Sequence, residues 1–273
     1  LTEFTIDELM CVCIARQVQD GDVLAQGLAT PLVAAGYLLA RHTHAPGAYF
    51  ASAIGQTVCR EGAPLGVASV ERLWLDRAMN AFGFTSAVLD LLPTVQPKEF
   101  FRPGQVDAHG NFDNLAIGRD LRRPRLRLPG VGGIPDVTSY GHGVYLYVPR
   151  HSPVTFVSEL DRVSGLGHNP ARRAGAGVRY LVTNLGQFDY PRGRMQIRSL
   201  HPGVSFEEVQ SRTGFPLDRP QASVTTSPPT EHELNVLRQE VDPLGVRRLE
   251  LLSGSARREA LRDLLRREAR QAG

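Results

Sequence analysis

The sequence predicts an α/β fold: an open, mostly parallel sheet with helices on both faces and mixed strands in its second half. Three observations carry this. A strand–turn–helix–strand unit occupies residues 23–52, and such a βαβ unit pairs its strands in parallel. Short β-branched and aromatic runs, Val144–Val148 and Val178–Thr183, recur further on. The 273 residues are 42% hydrophobic and 22% charged, the composition of an ordinary globular chain large enough to bury a core without disulfides.

Thr5-Ile6-Asp7-Glu8 reads as a capping box. Ile6, Leu9, Met10, Cys13, Ile14 and Val18 then recur at helical spacing, and Gly21 ends the helix. Val23-Leu24-Ala25 is a strand. After the Gly27 turn, Thr30 is the expected N-cap and Pro31 the first helical residue of a helix reaching about His42. Tyr49-Phe50-Ala51-Ser52 is the next strand. Residues 62–80 carry no clear period. A helix over Thr85–Leu92 is expected to stop at Pro93.

Lys98–Phe101 reads as a strand that runs into Gly104-Gln105-Val106-Asp107-Ala108-His109-Gly110-Asn111, a polar turn bounded by glycines. Gly130-Val131-Gly132-Gly133 precedes a short helix through Tyr140. Strands follow at Val144–Val148, Val154–Leu160, Val178–Thr183, Phe188 and Met195–Leu200. Ser205 caps a helix to about Thr213, and Thr230 caps another to about Glu240, broken at Asp242-Pro243. Ser255 opens a last, Arg-rich helix with Leu261, Leu264 and Leu265 on one stripe and Glu259 and Asp263 placed to pair with its arginines. The expected organisation is one domain over 1–245 and a basic helical tail over 246–273.

The formal net charge is only +3. The run Arg119–Arg127 and the tail are basic, but no aromatic side chains interleave with the arginines. They read as solvated faces rather than a nucleic-acid site. Cys11, Cys13 and Cys59 lack zinc-site spacing, and the first two sit on a helix, so they read as packing residues in a reducing compartment. No apolar run reaches membrane-spanning length and the start lacks signal-peptide character, so a cytoplasmic protein with no membrane partner is expected.

From the residues alone, no catalytic set assembles. Ser52 is a candidate nucleophile only if a base comes from elsewhere. His142, His151, His168 and His201 have no metal-ligand spacing, and no metal or resident cofactor is expected. The glycine-rich turns at Gly27, Gly104 and Gly130–Gly133 suit anionic or carbonyl-bearing ligands.

Five stretches together carry a family resemblance: Thr43-His44-Ala45-Pro46-Gly47; Gly104–Asn111; Gly130–Gly133 with Asp136; Val182-Thr183-Asn184-Leu185-Gly186-Gln187-Phe188-Asp189; and Leu200-His201-Pro202-Gly203-Val204. In this order, across roughly residues 5–245, the chain resembles the β subunit of family I coenzyme A transferases of the glutaconate CoA-transferase type. The resemblance implies an α-type partner subunit, a heterodimer or heterotetramer, an acyl-CoA substrate with coenzyme A as its substrate moiety, and a site at the meeting of the two chains. It also implies a β-subunit glutamate that attacks the thioester. Here Phe50-Ala51-Ser52-Ala53 aligns with that turn, so Ala51 takes the glutamate's place and Ala53 the following glycine's.

A methyl group cannot form an acyl anhydride. The chain therefore looks closest to a branch lacking this glutamate, similar to steroid ring-cleaving acyl-CoA hydrolases. Alternatives are a decarboxylase of an unsaturated dicarboxyl-CoA, a transferase whose carboxylate comes from the partner, and a non-catalytic structural subunit. The resemblance places oxyanion or substrate contacts at Gly27, Ala29, Thr30, Ala51, Gln56, Gly104, Gln105, Gly132 and Gly133. Asp107, Gly110 and Asn111 are expected to hold their turn.

Overall fold

The structure, a computed structural model, describes residues 3–27, 30–52, 56–68, 72–222 and 224–272. The chain divides into two compact units: residues 1–95 with 228–273, and residues 96–227. The basic C-terminal segment thus belongs to the first unit.

In the first unit, helix α1 (Ile6–Ala15) packs on helix α2 (Pro31–His42). Gly36 permits the close approach, since a Cβ there would lie 2.6 Å from Ile14 Cγ2 and 3.0 Å from the Cys11 carbonyl. The Glu8 carboxylate accepts the Thr5 N–H at 2.9 Å, as the capping box requires. Helix α1 ends at Ala15 rather than Gly21. The chain leaves through turns to Gly21, whose φ is +83°, while Val18 stays buried.

Strand β1 (Val23–Gln26) pairs in parallel with β2 (Tyr49–Ser52), with Ala25 opposite Ala51 and Gln26 opposite Ser52. The expected βαβ unit is therefore present. Beyond it, β3 (Thr57–Cys59) runs antiparallel to β2, and β4 (Ala78–Ala81) antiparallel to β3, so strand mixing begins in the first half of the chain. The helical stretch from Phe84 does not stop at Pro93 but continues to Val95. The Leu92 N–H reaches back five residues to Ala87 O, and the widened turn makes the N–H that proline lacks dispensable.

The Arg-rich helix Gly254–Ala272 buries Leu264 but leaves Leu265 41% exposed, and Glu259 and Asp263 pair with no described residue. It is fastened instead through Glu268, whose carboxylate accepts the Val67 and Ala68 N–H groups at 2.8 and 3.0 Å.

In the second unit, β5 (Lys98–Phe101) and a later strand, Gly143–Val148, pair in parallel. Between them in sequence come two hairpins, β6 (Gln105–Val106) with β7 (Phe112–Asp113), and β8 (Ala116–Ile117) with β9 (Leu126–Arg127). Counting in chain order, Gly143–Val148 is β10. It pairs in parallel with β11 (Val178–Thr183), and β12 (Gly186–Asp189) and β13 (Gln196–Leu200) follow antiparallel. An α/β fold with a mixed sheet is thus the observed class.

The strand expected over Val154–Leu160 is not formed. Phe156 makes a single bridge to Val106 and the rest of the segment is loop: the Thr155 and Phe156 N–H groups turn back to Ser152 O, the Thr155 carbonyl and the Val157 N–H pair with Val106, and the Phe156 carbonyl accepts the Gly214 N–H. Ser205 and Thr230 both accept the N3 amide as N-caps, at 3.1 Å each.

All three cysteines are buried free thiols. Among the described residues no helix is long and apolar enough to cross a membrane, and no group of His, Cys, Asp and Glu could hold a metal ion.

Candidate functional site

In the first unit the site residues gather at the carboxyl ends of β1 and β2. Ala51 is 1% exposed and sits in register between Ala25 of β1 and Val58 of β3. In-register neighbours share a face of the sheet, so a longer side chain at 51 would emerge between two small or apolar ones. Phe50 points to the other face and stacks on Trp74, ring centroids 4.7 Å apart.

At the last register position the Ser52 backbone pairs with Gln26 of β1 on one side and Thr57 of β3 on the other. Just past the strand, Gln56 holds a left-handed backbone, φ +55°, unusual for a residue with a side chain, and its carbonyl accepts the Phe82 N–H at 2.7 Å. Ala29 and Ala53 lie outside the described residues.

Thr30 does not cap α2 with its hydroxyl. The Oγ1 accepts from Gln26 Nε2 at 3.0 Å, and the helix start is met by Glu250, whose Oε1 accepts the Leu32 N–H at 2.9 Å. A buried carboxylate of this same chain thereby neutralises the positive end of the α2 dipole. That N–H is not free for an anionic ligand, which narrows what the turn at Gly27 and Thr30 can offer.

In the second unit the two glycine turns differ. The Gly104 N–H is already used, donating to Asp113 O at 3.0 Å and Asn114 Oδ1 at 2.8 Å. A Cβ there would lie 2.3 Å from Leu128 Cδ1. Glycine at 104 is thus required for close approach, and its amide has no donor left for an oxyanion. Gln105 is buried and turns its Oε1 to the Asp161 N–H at 3.3 Å.

Asp107 closes the turn. Its Oδ1 accepts the His109 and Asn111 N–H groups at 2.8 and 2.9 Å, and its Oδ2 takes Asn111 Nδ2 at 3.0 Å. Asn111 Oδ1 then receives the Gly167 N–H at 3.0 Å. Gly110, at φ +74°, lies where a Cβ would meet Val178 Cγ2 at 2.9 Å.

The loop Gly130–Gly133 is different. Gly132 is left-handed, φ +48°, with open space where a Cβ would stand, and Gly133 follows at φ −89°. A left-handed residue next to a right-handed one turns successive N–H groups to one side, forming an anion-binding nest. Neither the Gly132 nor the Gly133 N–H donates to any described residue. The loop is held from both ends. Gly130 N–H donates to Asn114 O at 3.2 Å. The helix Ile134–Tyr140 that follows is capped at its far end by Arg172, whose guanidinium donates to the carbonyls of Thr138, Gly141, Leu166 and Ala174. The Asn114 side chain also holds Gly104, so one residue links the two turns, through its main-chain carbonyl and its side chain.

Two buried histidines serve the frame. His151 lies between the Thr183 and Thr213 hydroxyls and stacks on Phe156 at 3.7 Å. His201 bridges the Thr226 hydroxyl and Thr183 O. Burial lowers His151 to about 3 and His201 to about 4, so both are neutral scaffolding. Burial also raises the Glu99 carboxyl on β5 to about 8. Sequence reasoning missed Gln26, Thr57, Asn114 and Glu250. All four are polar residues with no motif of their own, and only the strand register or a long-range bond reveals them.

No protein-family model matches the chain. It is 38% identical over 157 residues to the cholesterol ring-cleaving hydrolase IpdB subunit of Mycobacterium tuberculosis, a match covering 55% of this chain and 62% of that one. It is 29% identical over 263 residues to the B-type subunit of the 3-oxoadipate CoA-transferase of Pseudomonas knackmussii, covering 87% and 94% of the two chains. The crystal structure of the decarboxylase AibA/AibB superposes with a TM-score of 0.78 at 28% identity, over 90% of this chain and 98% of that one. A hydrolase, a transferase and a decarboxylase thus share one fold and one sequence lineage with it. These relatives and structural neighbours support the family I CoA-transferase, B-type-subunit resemblance read from the sequence.

Proposed function

We propose that this chain is the β-type subunit of a heteromeric acyl-CoA enzyme that has given up CoA transfer and instead hydrolyses, or cleaves a C–C bond of, a CoA thioester. The observation carrying the proposal is Ala51. It is buried between Ala25 and Val58 where the resemblance puts the attacking glutamate. No acyl anhydride can form on a methyl group, and the carboxylate chemistry passes to an α-type partner.

This chain's part is electrostatic. The Gly132 and Gly133 N–H groups, engaged by no described residue, suit the negative charge that develops on a thioester or β-keto oxygen as an enolate or tetrahedral centre forms. Donors fixed in advance cost no reorganisation at the moment of reaction. The ring-cleaving hydrolase among the relatives supports this reading over transfer. The 29% identity to a transferase chain over 87% of this one keeps a second reading in play, transfer with the carboxylate supplied by the partner.

The test is to assemble the chain with its α-type subunit and supply β-keto acyl-CoA thioesters with and without a carboxylate acceptor. Hydrolysed or cleaved acyl-CoA formed without an acceptor is the expected result. Product formation that depends strictly on the acceptor acid would overturn the proposal in favour of transfer.

A further inference from the structure

The segment after β3 has no ladder of its own. Residues 61–68 form neither helix nor strand, so bonds to other parts of the chain set their shape. These bonds come from three places. Arg77 Nη1 donates to Gly62 O at 2.6 Å and closes the base of a loop from Gly62 to Arg77, of which residues 62–68 and 72–77 are described. The Leu65 N–H donates to Val241 O at 2.9 Å. Glu268 Oε2 accepts two successive amides, Val67 and Ala68, at 2.8 and 3.0 Å.

The third grip differs in kind. It is a carboxylate, and hydrogen bonds to a charged acceptor are stronger than those between neutral groups. It comes from the helix Gly254–Ala272, which lies outside the stretch that carries the family resemblance. Most of that helix is exposed. Leu264 is buried, and Arg267 Nη1 donates to Leu244 O at 3.2 Å.

The loop carries Trp74, the chain's single tryptophan. Trp74 lies in the short helix Arg72–Leu75 and is 5% exposed. Its ring packs 4.7 Å from that of Phe50, the residue before Ala51 on β2. The ring pair therefore backs the strand where the candidate site begins. A loop held only at its base is free to open locally, whereas a second grip keeps Trp74 on the strand. We infer that Glu268 is a positioning residue: its carboxylate grips the Val67 and Ala68 amides, fixes the loop, and through Trp74 and Phe50 holds the end of β2 where Ala51 stands. The grip is independent of the acyl-CoA reading above; its effect on turnover rests on that reading.

Tryptophan fluorescence and hydrogen exchange of the full chain test the grip, and steady-state kinetics of the complex with its α-type subunit test the consequence. Glu268→Ala should red-shift Trp74 emission, raise its quenching by acrylamide, and speed exchange of the Leu65 amide roughly tenfold. Leu65 donates to Val241 and not to Glu268, so its exchange reports the loop rather than the deleted bond. Glu268→Gln keeps an acceptor oxygen and should restore most of the wild-type emission and exchange. Glu259→Ala, at an exposed position of the same helix, should change neither. In the complex, Glu268→Ala should lower kcat for an acyl-CoA thioester roughly three- to tenfold with KM nearly unchanged.

Wild-type emission and Leu65 exchange in Glu268→Ala would overturn the inference, as would a Glu268→Gln variant that fares no better than Glu268→Ala. Global unfolding of both variants by circular dichroism would overturn it too, since Glu268 would then hold the fold and not the loop. A loosened Trp74 with wild-type kcat would overturn the positioning role. No turnover by the wild-type complex would remove the acyl-CoA reading, while fluorescence and exchange would still decide the grip.

Discussion

Ala51 and Gly132 act through what they lack. Ala51 ends in a methyl group at the strand position where the resemblance aligns a carboxylate. Gly132 has no side chain and so can adopt φ +48°, with open space where a Cβ would stand and with neither its own N–H nor that of Gly133 engaged by a described residue. Gly132→Ala forces a Cβ into the left-handed region, costing about 1 kcal/mol in the backbone and re-aiming both amides. The expected outcome is a fall in kcat of tenfold or more, with KM nearly unchanged and a melting temperature only a few degrees lower, read from steady-state kinetics and thermal melts of the assembled enzyme. Gly104→Ala should behave in the opposite way. Its Cβ collides with Leu128, so the main loss is in stability, visible in the chain's own melt.

This contrast was half legible in the sequence. Both turns stand out as glycine-rich, and the Asp107–Asn111 bracket follows from residue types that bond their own backbone. Which glycine has a free amide depends on Asn114, ten residues away from Gly104, and no local pattern reveals that.

At the scale of elements, two carboxyl groups decide how strands and helices are held. Glu250 sits on the N-terminus of α2, 218 residues away in sequence from the Leu32 amide it accepts. Glu250→Gln keeps the shape and removes the charge. It should lower stability by about 1 kcal/mol in urea denaturation at neutral pH, the usual worth of a carboxylate at a helix start.

Glu99 works against stability. Its folded-state carboxyl titrates near 8 instead of its ordinary 4.5. Between those values the folded state binds the proton that the unfolded chain has lost, so stability falls as pH rises from about 4.5 to 8. Glu99→Gln should therefore raise the melting temperature at pH 8 and leave it unchanged at pH 4.5.

Helix and strand boundaries were readable where caps or breakers carry their own chemistry: the Thr5–Glu8 box, Ser205, Thr230 and Asp242-Pro243. They failed at Pro93, where a widened turn made the missing N–H harmless, and at Val154–Leu160, where an apolar run with strand propensity is consumed by turns. The antiparallel strands β3 and β4 left no period to read, since each is only three or four residues long.

Across the whole molecule, each unit carries a buried polar assembly. In the first, Arg247 is 5% exposed and faces Asp7, Glu8 and Asp242, at 2.9, 3.0 and 2.9 Å. It joins the start of the chain to its last quarter. Arg247→Met leaves three carboxylates without their central cation, and breaking a buried pair this way costs roughly 3–5 kcal/mol. Chemical denaturation should record a loss of that order.

In the second unit the burden falls on His151 and His201. Both fold with pKa values lowered below 6.5, to about 3 and about 4. The unfolded chain takes up protons first as pH drops, so their contribution is complete above pH 6.5 and is lost progressively as pH falls toward 3–4. His151→Gln should shallow the acid unfolding curve over that interval.

The family assignment came from motifs spread over the chain and agrees with the relatives. The proposed activity rests on one residue and on a proposed partner chain. The most direct measurement is therefore covalent trapping. The assembled enzyme is incubated with acyl-CoA, quenched with borohydride and digested, and every glutamate of this chain is examined by mass spectrometry. The account predicts no reduced or CoA-bearing glutamate in this chain while the thioester is turned over. A glutamyl-CoA adduct on any glutamate of this chain would contradict it.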